Sequence, residues 1–377
     1  MKKRENRIET YDRNMRPDEA NQDNMKWHSP KMSPFHVSGL AWFAEEGKYR
    51  RLPTAPKAVL PAAVDYLANH PAGAQVRFQT DSPSLSVRVK LADKANMFHM
   101  PATGQCGVDC YIETSNGLQY CNTTKYDIER TEYDSVLFQD WHSEMRNIVL
   151  YLPLYQGVEE IEIGLEENAS ILPPPDYVTD KKIIIYGTSI TQGGCASRPG
   201  MAYSNILSRR IPMEFLNLGF SGSGKGEPEV AEVIASIPDP ACLVLDYEAN
   251  CVSTELFQQT LPEFIQIYRS VHPQTKVLVV SKIRYAREHF PNHRELYQTR
   301  MECKQFQQSL VHELRSKGDQ NIFFIDGSDL LGSDFNECTV DGTHPTDLGF
   351  LRMADRLEPI FKSLLLCAVV RSHSVRG

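Results

Sequence analysis

The chain has 377 residues, 41% of them hydrophobic and 23% charged, with a formal net charge of -8. Such a length exceeds what a single core usually serves and predicts two domains. The acidic balance argues against a nucleic-acid or anionic-membrane partner, because phosphate binding calls for a basic face.

Residues 1–32 are polar and charged and predict a flexible N-terminal arm. The basic start at Lys2, Lys3 and Arg4 is followed by no apolar segment of the kind a secretory signal carries. No run approaches the roughly 20 apolar residues of a membrane span. The nine scattered cysteines are therefore expected as reduced thiols of a cytoplasmic protein. Cys106 and Cys110 lack a second pair or a nearby histidine cluster, so no metal is expected.

Residues 33–170 carry strand signals. Val76 to Thr80 and Leu85 to Val89 alternate apolar and polar residues, and Val108 to Ile112, Asn147 to Leu152 and Val158 to Leu165 continue the series. Turn chemistry at Asp81-Ser82-Pro83, Ser115-Asn116-Gly117 and Gln156-Gly157 separates them. The pattern predicts an antiparallel β-sandwich. Residues 171–178, with Pro173, Pro174 and Pro175, predict a stiff linker.

The character changes in residues 179–377. Ile183 to Tyr186, Met213 to Leu218, Cys242 to Leu245, Lys276 to Val280 and Asn321 to Ile325 are continuous apolar runs, as strands buried on both faces are. Helical patterns alternate with them at Ala202–Arg210, Glu229–Ser236, Leu256–Ser270, Met301–Ser316 and Leu348–Leu366. This is an α/β unit with a parallel sheet between helix layers.

Active sites of open α/β sheets lie beyond the carboxyl ends of the strands. After the first strand, Gly187-Thr188-Ser189-Ile190-Thr191 offers a tight turn and an exposed hydroxyl, although Thr191 departs from the elbow pattern G-x-S-x-G. Ser189 is either a nucleophile or a helix cap. After the second strand, Gly219 to Gly224 suits an oxyanion hole made of backbone N–H groups. The same stretch begins a phosphate-binding G-x-x-x-x-G-K through Lys225, but the required hydroxyl residue is replaced by Gly226. After the third strand comes Asn250, an amide able to donate to an oxyanion, behind Asp246 and Glu248, which could ligate a metal or cap a helix. Before the last helix, Asp341 and His344 are spaced to pair within one turn, the carboxylate fixing the imidazole tautomer while the other ring nitrogen takes the Ser189 proton.

Ser, Gly, Asn and Asp-x-x-His thus follow successive strands in that order. The set resembles the SGNH (GDSL-like) hydrolases over roughly residues 180–366. The matching residues are Ser189 in Gly-Thr-Ser, Gly222, Asn250, and Asp341 with His344. Gly-Thr-Ser-Ile-Thr stands where the family has Gly-Asp-Ser-Leu, and Glu248 and Cys251 stand where it has Gly and Asp. Gly107-Val108-Asp109-Cys110-Tyr111 resembles the Gly-x-Asp-Leu-Tyr motif of a sandwich domain that precedes some of these esterases.

The resemblance implies a flavodoxin-like SGNH domain behind a jelly-roll-like domain, with Asp109 structural or at the lip of the cleft. It implies a serine esterase with a Ser189–His344–Asp341 triad, an oxyanion hole of the Ser189 and Gly222 N–H groups and the Asn250 amide, and no cofactor. A short-chain acyl ester, above all an acetyl ester on a small molecule or oligosaccharide, is the expected substrate. Arg284 and Tyr285, after the fourth strand, are the candidate substrate contacts. An acyltransferase using the same triad, a lipid or lysophospholipid esterase, and a carbohydrate-binding protein with a silent site are the alternatives, and assembly into a homo-oligomer is left open.

Overall fold

The computed structural model describes residues 8–12, 15 and 24–373. Ten strands occupy the first part of the chain: β1 (Met25–His28), β2 (His36–Ser38), β3 (Gln75–Thr80), β4 (Leu85–Leu91), β5 (Asp109–Thr114), β6 (Gly117–Thr123), β7 (Glu132–Phe138), β8 (Arg146–Tyr151), β9 (Val158–Glu166) and β10 (Ile171–Leu172). They pair antiparallel in two sheets, β1-β9-β4-β7 and β10-β3-β8-β5-β6, with β2 joined to β3. Alternation drives the packing: Val87 and Val89 of β4, Ile161 and Ile163 of β9, Val76 and Phe78 of β3 and Ile148 and Leu150 of β8 all point into one core between the sheets.

Five parallel strands follow: β11 (Lys182–Gly187), β12 (Glu214–Gly219), β13 (Pro240–Asp246), β14 (Lys276–Val280) and β15 (Ile322–Ile325), in the spatial order β12-β11-β13-β14-β15. The helices are α1 (Phe43–Glu46), α2 (Ala62–Leu67), α3 (Ala102–Cys106), α4 (Ser189–Gln192), α5 (Tyr203–Arg210), α6 (Pro228–Ala235), α7 (Thr254–Val271), α8 (Arg294–Ser316) and α9 (Asp347–His373). Ile183 and Ile185 of β11 face α5 and α9, whereas Ile184 and Tyr186 face α6 and α7. Each strand supplies both layers, which is why its sequence is a continuous apolar run. This is the expected three-layer flavodoxin-like arrangement behind a sandwich.

The chain departs from the expected segments in three places. Residues 25–28, expected in the N-terminal arm, form β1 against β9, while most of that arm lies outside the described residues. Leu52, Leu60, Val64 and Ala68, expected in the sandwich, pack instead with Ile184, Leu216 and Phe220 of the α/β core. The linker is fastened: Ile171 and Leu172 pair with β3, and the carbonyls of Pro173 and Pro175 accept from Gln79 Nε2 at 2.6 Å and Arg77 Nη2 at 2.7 Å. Prolines cannot donate to a ladder, so side-chain amides and guanidinium groups hold this stretch through its carbonyls.

Candidate active site

The Ser189 turn is built by its threonines. Thr188 caps α4 by accepting from the Ile190 N–H at 3.1 Å, and Thr191 Oγ1 accepts in return from the Thr188 N–H at 3.3 Å. The helix cap is therefore Thr188, which leaves the Ser189 hydroxyl for other work. Gly187 is required because a Cβ there would collide with Thr191 Oγ1 and the Asp246 carbonyl. Thr191, the departure from the elbow pattern, also donates to Asp246 Oδ2 at 3.2 Å, where Tyr203 OH donates at 3.0 Å. Burial pushes the Asp246 carboxyl up to about 7 against the pull of the Tyr203 and Thr191 hydroxyls.

His344 reaches the site from a turn closed by the Val340 N–H to the His344 carbonyl at 2.9 Å. Ser189 Oγ lies 2.9 Å from His344 Nε2, and His344 Nδ1 lies 2.7 Å from Asp341 Oδ2. Asp341 Oδ1 accepts from the N–H groups of His344 at 2.8 Å and Thr343 at 2.9 Å. Burial works to raise the Asp341 carboxyl, but the His344 N–H and imidazole and the Thr343 N–H outweigh it and hold the group below the ordinary carboxylate range. An ionised Asp341 accepts from Nδ1–H, so Nε2 carries the lone pair that faces the Ser189 hydroxyl.

Around this pair the expected oxyanion donors are arranged unequally. The Ser189 N–H heads α4, where helix geometry supplies no acceptor. Gly222 takes φ +64°, a left-handed conformation that favours glycine, and a Cβ there would meet open space. Asn250 stands differently from expectation. Its Nδ2 donates to the carbonyls of Phe220 and Gly224, each at 2.9 Å, so both amide hydrogens are spent on holding the glycine loop. It braces Gly222 rather than presenting a free donor. Glu248 Oε2 accepts from the Lys282 N–H and Gln307 Nε2, each at 2.8 Å.

The candidate substrate contacts separate. Arg284 is tied to its own scaffold, with Nε donating to the Ser328 carbonyl and Nη2 to the Gly332 carbonyl, each at 2.7 Å, and its guanidinium over Phe335. These bonds anchor its side chain to the segment from Ser328 to Gly332. Burial, followed by the carboxylates of Glu248, Asp246, Glu288 and Asp341, raises the Tyr285 phenol.

The sandwich enters the site at several points. Asp109 Oδ2 accepts from Arg198 Nη1 and from the Gly200 N–H, both at 2.8 Å, and Arg198 also donates to Tyr111 OH at 2.6 Å. Thr103 Oγ1 donates to the Ser197 carbonyl at 2.6 Å, and Tyr155 OH to the Ser189 carbonyl at 3.2 Å. His99, on the loop before α3, sets its ring edge-on to His344 with centroids 5.6 Å apart, and its Nε2 is 3.8 Å from Asp341 Oδ2. Sequence patterning gave no sign of His99, because the contact joins positions more than 200 residues apart across two sheets. Among the described residues, His99, Cys195 and His344 are the group that could hold a metal ion.

The GDSL-like lipase/acylhydrolase family model matches residues 180–362, and the model for the GxDLY N-terminus of SGNH-type esterases matches residues 25–171. A solved structure named as a GDSL-like lipase, from Bacteroides ovatus ATCC 8483, is 32% identical with a TM-score of 0.83, covering 91% of this chain and 98% of its own. A salicylyl-acyltransferase from a tetracycline biosynthetic pathway is 18% identical with a TM-score of 0.69, covering 92% of this chain and 98% of its own. An acetyl xylan esterase from the rumen bacterium Butyrivibrio proteoclasticus is 12% identical with a TM-score of 0.57, covering 90% and 98%. No curated protein in the comparison matches the chain. With both halves matched in order, and a relative at 32% identity spanning nearly the whole chain, this protein belongs to the SGNH (GDSL-like) family of ester hydrolases.

Proposed function

We propose that this esterase removes short-chain acyl groups, above all acetyl, from a carbohydrate by way of a Ser189 acyl-enzyme. The observation that carries the reading is the unbroken chain from Ser189 Oγ through His344 to Asp341, at 2.9 and 2.7 Å. His344 Nε2 takes the Ser189 proton as Oγ attacks the ester carbonyl. Asp341 stabilises the imidazolium that forms. The N–H groups of Ser189 and Gly222 receive the oxyanion, and Asn250 keeps the Gly222 loop in place. His344 then protonates the leaving alcohol, and water repeats the sequence to free the acid.

Support for the sugar comes from the shared two-part fold of the acetyl xylan esterase, which at 12% identity is a likeness of architecture. The experiment is hydrolysis of p-nitrophenyl acetate and of a panel of acetylated oligosaccharides by wild type and Ser189→Ala. Wild-type release of acetate, abolished in a folded Ser189→Ala protein, is expected. Turnover retained in the variant removes the nucleophile, and cleavage of a lysophospholipid without acetate release from sugars moves the substrate to lipids. Ester formation in place of acid when a competing alcohol is added moves the reaction to acyl transfer.

A further inference from the structure

Three side chains from separate stretches of chain offer ligand atoms to one point beside the catalytic pair. His99 belongs to the sandwich, Cys195 to the loop that follows α4, and His344 to the turn before α9. One ring nitrogen of each imidazole and the Cys195 thiol lie within 4.8 Å of one another. His99 Nδ1 is buried and has no hydrogen-bond partner among the described residues, which leaves a ring nitrogen of this half-enclosed side chain uncommitted. Phe98, beside it, is 97% exposed, so the loop that carries His99 reaches solvent and offers a route of access.

Cys195 is 5% exposed, and burial, followed by the Asp341 carboxylate, pushes its thiol up to about 12. At neutral pH it carries its proton and is a poor nucleophile. Cation coordination reverses that state, because a bound divalent metal deprotonates the thiol outright. Two imidazoles and a thiolate form a borderline-soft set of the type zinc prefers. A tetrahedral zinc with bonds of about 2.0–2.3 Å separates its ligands by about 3.3–3.8 Å. The three groups, all within 4.8 Å of one another, must therefore close by at most about 1.5 Å.

We propose that His99, Cys195 and His344 form a binding site for a zinc-class divalent cation that reversibly switches the esterase off. On binding, each imidazole donates a lone pair, the Cys195 S–H proton passes to solvent as the metal–sulfur bond forms, and bound waters leave the cation. Whichever ring nitrogen of His344 the cation takes, it removes either the acceptor facing Ser189 or the tether to Asp341. The inhibition rests on the catalytic reading of His344; the binding does not.

The test uses the metal-free full-length chain and two metals. Co2+ should produce a thiolate-to-cobalt charge-transfer band in the wild type that is lost in Cys195→Ser. Zn2+ should abolish p-nitrophenyl acetate turnover, with recovery on adding EDTA. The zinc concentration for half inhibition should rise at least about tenfold in Cys195→Ser and in His99→Gln, each compared with its own metal-free rate. Absence of the cobalt band in the wild type overturns the site. So does its persistence in Cys195→Ser, or zinc inhibition unchanged in both variants, which would assign inhibition to His344 alone. Circular dichroism of each variant confirms folding, and Cys195→Ala and His99→Ala serve where a first substitution does not fold. A wild type with the cobalt band but no esterase turnover keeps the site and removes the catalytic reading.

Discussion

Asp109 of β5 and Arg198 of the loop after α4 meet at 2.8 Å across the seam between the sandwich and the α/β unit, and the Asp109 side chain is fully buried. The Gly200 N–H and Tyr111 OH complete the arrangement, with Arg198 lying over the Tyr120 ring. The motif residue Asp109 therefore works at a distance: it fixes the segment that continues from the Ser189 helix.

Removing Asp109 leaves Arg198, 18% exposed, without its counter-charge; breaking a fully buried pair costs about 3–5 kcal/mol, which is the upper bound here. Asp109→Ala is expected to lower the unfolding free energy, read from urea denaturation, by up to that amount and to reduce kcat, because the loop after Ser189 loses its anchor. An unchanged midpoint would mean that the pair adds nothing to the joint between the two parts.

Asp341 fixes the imidazole by its carboxylate and receives two backbone N–H groups. Asp341→Asn keeps the shape but presents an amide to Nδ1 and favours the wrong tautomer. The expected loss in kcat is on the order of 10³–10⁴, with KM little changed. A loss confined to KM would speak for a substrate contact instead.

Asn250 separates two roles cleanly. As the brace of the Phe220–Gly224 loop, its replacement by Ala should cost about 1–2 kcal/mol of stability for two lost hydrogen bonds, accompanied by a fall in kcat. Unfolding in urea and steady-state kinetics on the same preparation measure both. A fall in kcat of about 10²–10³ at unchanged stability would show a direct oxyanion donor.

Asp246 links the Ser189 turn to pH. Its carboxyl is raised from 3.8 to about 7, so the folded protein binds a proton that the unfolded chain releases between those values. Stability from this group is complete below pH 3.8 and is lost as pH rises toward about 7. Asp246→Asn should remove that decline, and the difference between wild-type and variant urea midpoints should widen in favour of the variant from acid to neutral pH. A constant difference would mean that Asp246 does not titrate in this window.

The parallel sheet was legible because each of its strands is buried on both faces. Ile183–Tyr186 and Lys276–Val280 lie within β11 and β14 with at most a residue's difference at either end. Ser189, Gly222, Asn250, Asp341 and His344 follow those strands, so topology alone brings them to one rim. β6 escaped notice because no residue of Gly117–Thr123 is fully buried and the strand carries no buried alternation. Chain order alone places Leu52, Val64 and Ala68 with the sandwich, but apolar residues join whichever core lies nearest in space, and here that core is the second domain's. Arg284 and Tyr285 are adjacent in sequence, yet only the structure shows Arg284 bound to the backbone carbonyls of Ser328 and Gly332. His99 and Cys195 had no local signal, since their meaning lies wholly in long-range proximity.

A labelled fluorophosphonate followed by peptide mapping tests the nucleophile most directly. Wild type should carry one adduct, at Ser189, and His344→Ala should label far more slowly at the same place. An adduct on another serine, or labelling of Ser189 at an equal rate without the imidazole, would contradict the 2.9 Å Ser189–His344 contact as the source of reactivity.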